Sequence, residues 1–215
     1  MVIPALNEAD RIAATIDAAR AAGASEVIVV DGGSSDTTVV VARASGAHVL
    51  EGESVRARQL NRGAEVASHD ALVFLHADTL LPLDACAAVE RALADHVFGG
   101  FRVEFLEPGL RFVSAMINLR TRFTRAPWGD QAQFARRDAF LRAGGYPDYP
   151  IMEDYELARR MKRLGSVAVL PLTVRTSGRR FLQQGVLRTT FTNWRIILAY
   201  HLGVSPERLA RWYRG

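Results

Sequence analysis

Residues 26–46, EVIVVDGGSSDTTVVVARASG, decide the fold. The β-branched run Val27 to Val30 favours a buried extended strand, because branching at Cβ suits the pleated backbone. Gly32 and Gly33 open a turn, and the residues from Asp36 read as a short helix that Gly46 ends. The same rhythm runs outward in both directions. Upstream, VIP (2–4) opens as a strand and EADRIAATIDAARAAG (8–23) has helical spacing that stops at Gly23. Downstream come AHVLEG (47–52) as strand, RARQLNRGAEVAS (56–68) as helix, ALVFLHAD (71–78) as strand and LDACAAVERALAD (83–95) as helix. This βαβα series implies an α/β fold, with a mainly parallel central sheet flanked by helices on both faces.

From Gly99 the rhythm changes. FGGFRVEF (98–105) alternates like a strand, LRFVSAMINLRTRF (110–123) reads as a helix, and APWGDQAQFARR (126–137) holds a loop and a short strand. A Gly/Pro-rich connection, AGGYPDYPIM, leads into the helix EDYELARRMKRLG (153–165) and the strand SVAVLPL (166–172). The last forty residues read as largely helical. The expected division is a main domain over residues 1–180 and an α-rich extension, residues 181–215, packed on it.

Composition narrows the function classes. With 215 residues, 49% of them hydrophobic, the chain can bury one good core. The lone Cys86 forms no intramolecular disulfide and has no partners at zinc-finger spacing, which fits a reducing compartment. Net charge is +4 and Lys162 is the only lysine. That arginine bias suits phosphate but also follows from genome composition. No like-charge block or basic–aromatic stripe points to nucleic acid. MVIPALNEAD lacks the pattern of a signal peptide, and no apolar run approaches ~18 residues, so a cytosolic protein is expected.

In an open parallel sheet, ligands bind beyond the carboxyl ends of the strands. Polar residues gather there: Asn7 and Glu8 after the first strand, Asp31 to Asp36 after the second, Glu51 to Arg58 after the third, His76 to Asp78 after the fourth. Each has a plain alternative: Asp36 as a helix cap, Gly32 and Gly33 as turn residues, Glu8 as an acid at a helix start. PALNEAD has no glycine for a G-x-G-x-x-G pyrophosphate turn, and no Walker A loop is present. Asp31 beside a base or ribose, with a carboxylate after the fourth strand on a divalent cation, describes a nucleotide with a metal-bound diphosphate.

VIPALNE, VIVVDGGSSDTT, LHADT, WGDQAQFARR, GGYPDYPIMEDYELARR and TSGRRF stand in the order that resembles family 2 glycosyltransferases of the GT-A fold. With the tail GVLRTTFTNWRIILAYHLGVSPERLARWYR, the chain is most similar to a small bacterial subgroup labelled radical-SAM/selenodomain-associated transferases. The resemblance implies a GT-A nucleotide-diphospho-sugar transferase fold. Pro4, Asn7, Glu8 and Asp31 would line the nucleotide pocket, and Arg58, Gln59 and Asn61 would close it. Asp78 would hold Mg²⁺ or Mn²⁺. HAD replaces the family's D-x-D, so His76, followed by Ala77, stands where the first acid would be and adds no negative charge. Asp154 would be the general base of an inverting transfer, with Glu153 beside it. Trp128, Gly129, Asp130 and Gln131 would form the acceptor-side loop, and Arg179 and Arg180 would steady the departing diphosphate. The implied donor is UDP- or GDP-linked and the acceptor is an unidentified hydroxyl.

The chain also departs from the subgroup. It starts almost at the pocket motif, so a truncated or misassigned start is expected, and Val55 replaces a usual glycine. Val does not readily take positive φ, so a stiffened loop is expected there. Two other functions remain open: a silent nucleotide-sugar binding protein, since the first D-x-D acid is gone, and a nucleotidyltransferase, which usually needs a triphosphate loop missing here. In the tail, Phe191, Trp194, Ile197, Leu198 and Tyr200 fall near one helical face with Arg188 and Arg195. That reads as a helix packed on the domain or as a peripheral contact with the inner face of a membrane.

Overall fold

The structure, a computed structural model, describes residues 1–52 and 54–214. Glu53, in the polar run expected after the third strand, and Gly215, at the end of the expected extension, lie outside the described residues. β1 (Val2–Ala5), α1 (Ala9–Ala21), β2 (Ile28–Asp31), α2 (Thr38–Ala44), β3 (His48–Glu51) and α3 (Arg56–Val66) alternate as the spacing predicts. β4 (Ala71–Val73), β5 (Thr79–Leu80), α4 (Ala85–Asp95), β6 (Phe98–Phe105) and α5 (Arg111–Thr124) follow. Then come β7 (Phe134–Arg136), α6 (Arg137–Arg142), α7 (Glu153–Leu164), β8 (Val167–Thr176), α8 (Arg179–Gln184), α9 (Val186–His201) and α10 (Pro206–Arg214).

β3, β2 and β1 pair in parallel, and a parallel bridge between Val2 and Phe74 carries the sheet on to β4. Beyond β4 the order is β7, β6, β8, β5. β6 and β8 are parallel, whereas β7 and β5 enter antiparallel to their neighbours. Both are very short, and an antiparallel strand needs no crossover helix. The expected fourth strand is regular only to Val73. Leu75 N–H still reaches Val2 O at 3.0 Å, and the chain then leaves the sheet at His76 and returns as β5.

Period-two alternation sets the two faces. Ile3, Val29, Val73 and Leu75 pack with Ile12 and Ile16 of α1 and Val89 and Leu93 of α4. Their neighbours Val2, Ile28, Val30 and Leu72 pack on the other side with Leu60 and Ala64 of α3 and Leu157 and Met161 of α7. Helices therefore cover both faces, and the loops at the strands' carboxyl ends are left to build a site.

Val55 is extended, with φ −100°, so this position makes no demand that valine cannot meet. In the tail, α9 buries Thr189, Ile196 and Ala199. Ile197 and Tyr200 pack beside Met152 and Leu209 in that same cluster, whereas Phe191, Trp194 and Leu198 point outward. The single apolar face expected of the tail is therefore two faces. Among the described residues no helix is long and apolar enough to cross a membrane.

Candidate active site at the strand ends

The loops after β1 and β2 hold each other. Asn7, at φ 53°, donates its N–H to Ser34 Oγ at 2.8 Å and accepts Ser35 N–H on Oδ1 at 2.9 Å. Asp31 is buried at the end of β2 and accepts the N–H groups of Gly33 and Ser34 at 2.8 Å, which folds the DGGSSD turn. Gly33 takes φ 91° there, a conformation glycine adopts without steric cost. Asp36 accepts the N–H and hydroxyl of Thr38 and the N–H of Ala9, so one carboxylate serves the starts of both α1 and α2. Pro4 lies in β1 opposite Val30.

Glu8 and Asp78 flank the guanidinium of Arg179, which comes from the start of α8. Arg179 forms a two-pronged ion pair with Glu8, and its Nη2 lies 3.7 Å from Asp78 Oδ2. The other Asp78 oxygen receives a long 3.4 Å contact from the Thr176 hydroxyl. Burial pushes the Asp78 carboxyl up from its ordinary value, with Glu8 adding to the rise and Arg179 opposing it. This is a carboxylate short of positive charge. A hard divalent cation takes oxygen ligands and is commonly held by one or two carboxylates plus substrate phosphates. Asp78 fits that role. Among the described residues no three His, Cys, Asp or Glu side chains group as a metal site, so phosphate oxygens and water would have to complete the coordination.

The second centre of the site is Gly129. A β-carbon there would lie 2.6 Å from Arg56 Nη2, 2.9 Å from His76 Nε2 and 3.1 Å from Asp154 Oδ2. Three polar groups from different elements converge on the space that a side chain here would occupy. Arg56, in the first turn of α3, pairs with Glu153 and also hydrogen-bonds His76 Nε2. Burial lowers the His76 pKa well below its ordinary value, and Arg56 and Arg179 lower it further. The ring is therefore neutral and accepts from Arg56. Burial raises the Glu153 carboxyl against the pull of Arg56, with Asp154 adding to the rise.

Asp154 begins α7 with Glu153, and Met152 before them sits at φ 70°. Its Oδ2 accepts Gly129 N–H at 2.6 Å and its Oδ1 accepts Tyr155 N–H at 2.7 Å. Each oxygen keeps a lone pair for a third group. Gln133 fastens the assembly: its amide donates to Pro127 O and Asp154 O, and its carbonyl accepts the Tyr146 hydroxyl.

The remaining expected residues have other partners. Gln59 is buried and donates to Ala5 O and Val30 O. Asn61 exchanges two hydrogen bonds with the Tyr146 backbone, and Arg58 makes a forked contact with Asp148 on the surface. Ala77 is buried and its carbonyl accepts the Thr15 hydroxyl. Gln131 is fully buried, donating to Phe101 O and accepting from Thr121 and Arg120. Arg120 stacks 3.3 Å from the Trp128 ring centroid, so one face of that indole is covered. Arg180 covers Tyr213 in the same way and donates to its carbonyl, which ties it to α10. On α3, then, Arg56 reaches the cleft while Arg58, Gln59 and Asn61 brace its surroundings. Arg56, Gln133 and Tyr146 were missed by the sequence reading. The one available signal was the first R of RARQLN, at a helix start.

Asp130 has a buried Oδ1 without a hydrogen-bond partner. Burial raises its pKa to about 6 against the pull of Arg120, and burial lowers Arg120 to about 10. The folded protein holds this proton to higher pH than the unfolded chain does. The stabilisation is therefore complete below the ordinary value of 3.8 and is lost as pH rises through about 6. Urea unfolding should show wild-type stability falling by up to about 3 kcal/mol between about pH 4 and about pH 7 from this group. Asp130→Asn should remove that component of the slope; identical slopes would show that Asp130 titrates normally.

A family model described as glycosyl transferase family 2 matches residues 1–142. Among solved structures, the chain is 25% identical to glucosyl-3-phosphoglycerate synthase from Mycobacterium tuberculosis in complex with Mn²⁺, UDP and glucosyl-3-phosphoglycerate. That match covers 80% of this chain and 68% of the other, with a TM-score of 0.57. A mannosyltransferase from Pyrobaculum calidifontis in complex with GDP-Man and Mn²⁺ is 20% identical, covering 99% of this chain and 67% of the other, with a TM-score of 0.71. TarS from S. aureus in complex with UDP is 15% identical, covering 82% and 59%, with a TM-score of 0.64. A search of curated proteins found no match. These likenesses show the fold of GT-A glycosyltransferases. Since the family model spans the greater part of the 215 residues, the chain belongs to glycosyl transferase family 2 and is a family 2 glycosyltransferase.

Proposed function

We propose that the protein transfers a glycosyl group from a UDP- or GDP-linked sugar to a hydroxyl acceptor, with inversion at the anomeric carbon and help from Mg²⁺ or Mn²⁺. In this reading residues 1–180 form the transferase unit, residues 181–215 are its helical extension, and the protein works in the cytosol. The observation that carries it is the convergence on Gly129 of Asp154, His76 and Arg56, with Asp78 two residues beyond His76. One carboxylate then serves the leaving group and another the acceptor. The UDP and Mn²⁺ bound by the 25%-identical synthase support the donor class and the cation.

Asp78 would hold the cation, which when bound would neutralise charge on the departing diphosphate. Arg179 already spans Glu8 and Asp78, and a guanidinium pairs well with phosphate oxygens. Arg179 is thus placed to exchange a carboxylate for the diphosphate. Asp154 Oδ2, oriented by Gly129 N–H, takes the proton from the acceptor hydroxyl as its oxygen attacks. Arg56, bonded to Glu153 and to a neutral His76, places a guanidinium at the Gly129 end of the cleft.

A silent nucleotide-sugar binding protein is the second reading, favoured by the neutral His76 in place of the first acid. Calorimetry with UDP and GDP, with and without Mn²⁺, tests the donor and metal together; Mn²⁺-enhanced binding of one of them is expected. Release of nucleoside diphosphate from its sugar then separates the two readings. No release under any acceptor, despite tight binding, would leave the silent one.

A further inference from the structure

Two helices carry the same unpartnered pattern. On α5, Phe112, Met116, Leu119 and Phe123 are exposed, at spacing i, i+4, i+7 and i+11. On α9, Leu187, Phe191, Trp194 and Leu198 repeat that spacing and are likewise exposed. At about 100° per residue each set falls within an arc of about 60°. The opposite sides of the two helices are packed, through Val113 and Thr121 on α5 and Ile196 and Ala199 on α9. The outward stripes are therefore not needed to hold the helices down. Val113 of α5 and Val186 of α9 meet in one cluster with Leu110 and Phe181, so both helices border a common region of surface.

Charge selects the occupant. Neither α5 nor α9 contains an Asp or Glu, in a chain that has 23 of them. Arg111 and Arg122 lie along one edge of the α5 stripe, and Arg195, whose guanidinium lies over the Trp212 ring, along one edge of the α9 stripe. A second copy docked through these two helices would bring like-charged edges together, since neither helix carries a carboxylate of its own. A sheet of anionic headgroups over acyl chains answers both the guanidinium edges and the apolar stripes, with Trp194 suited to the boundary. We propose that this face docks on anionic bilayers.

The same helix braces the start of α7. Ile196 and Ala199 pack with Met152, Tyr155 hydroxyl lies 2.8 Å from His201 Nε2, and Tyr200 hydroxyl donates to Glu156 at 2.7 Å. Docking through α9 therefore holds the Asp154 end of the cleft close to the headgroup layer, where it meets hydroxyl acceptors presented at a membrane. The surface assignment does not depend on the catalytic one.

The test is flotation of the full chain with phosphatidylglycerol vesicles and with phosphatidylcholine vesicles, at low and high salt. Binding to phosphatidylglycerol that weakens at high salt and is weak on phosphatidylcholine is expected. The double variant Phe191→Ser/Trp194→Ser should lower the bound fraction by about tenfold or more while its melting temperature stays near wild type. Phe112→Ser/Phe123→Ser asks the same of α5. No flotation of the wild type at low salt would overturn the proposal, as would equal flotation of the α9 variant. A wild-type dimer in sedimentation velocity that the α9 variant makes monomeric would assign the face to a second copy instead.

Discussion

Asp154→Asn is expected to cut glycosyl transfer by about 10² or more while nucleoside-diphosphate affinity stays within a few-fold. The amide cannot accept the proton of the acceptor hydroxyl, whereas the donor's contacts gather around Asp78, Glu8 and Arg179. The substitution is not isosteric in its hydrogen bonding. Both Asp154 oxygens accept backbone N–H groups, from Gly129 and Tyr155, so one of them will face an NH₂ group in the variant. A loss of about 1–3 kcal/mol in unfolding free energy should accompany the loss of transfer, because one partly buried donor is left unmet. Calorimetry, urea unfolding and diphosphate release, measured on the same preparation, separate these effects. Wild-type transfer would remove Asp154 from the base role; lost donor binding would move it into the nucleotide pocket.

Asp78→Ala is expected to abolish the enhancement of nucleotide binding by Mn²⁺ and to lower transfer by about 10³, the scale of several kcal/mol of charge stabilisation. The apo protein should be no less stable than wild type. Burial already disfavours the Asp78 charge, and Arg179 keeps its main partner Glu8 when Asp78 is gone. Titration of UDP or GDP with and without Mn²⁺, beside a thermal melt, checks both halves. Persisting Mn²⁺ dependence would assign the cation to other oxygens.

The sequence by itself determined the alternation of strands and helices through α3, because apolar period two and period 3.6 are local properties and the glycines that end the elements are local too. It also determined the family, since the motifs that carry the resemblance are runs of neighbouring residues. The motifs also name the residues after β1, β2 and β4, the WGDQ loop and the start of α7, and the structure brings these segments together at one end of the sheet.

Which side chains face the cleft was decided only by tertiary structure. RARQLN presents Arg56 to His76 and Glu153 and turns Gln59 and Asn61 toward backbone carbonyls of β1, β2 and the GGYP connection. A helix fixes the angles between these residues but not which of them faces the site; that follows from where α3 lies on the sheet. Glu8 with Arg179, and Arg56 with Glu153, join residues 171 and 97 positions apart. Such pairs leave no local pattern. The same holds for Asp31, whose carboxylate closes its own turn, and for α9, where only packing separates Ile197 and Tyr200 from the exposed Phe191 and Trp194. Local spacing specifies what a segment can form, whereas the partner of a buried charge is set by desolvation, which depends on everything that surrounds it.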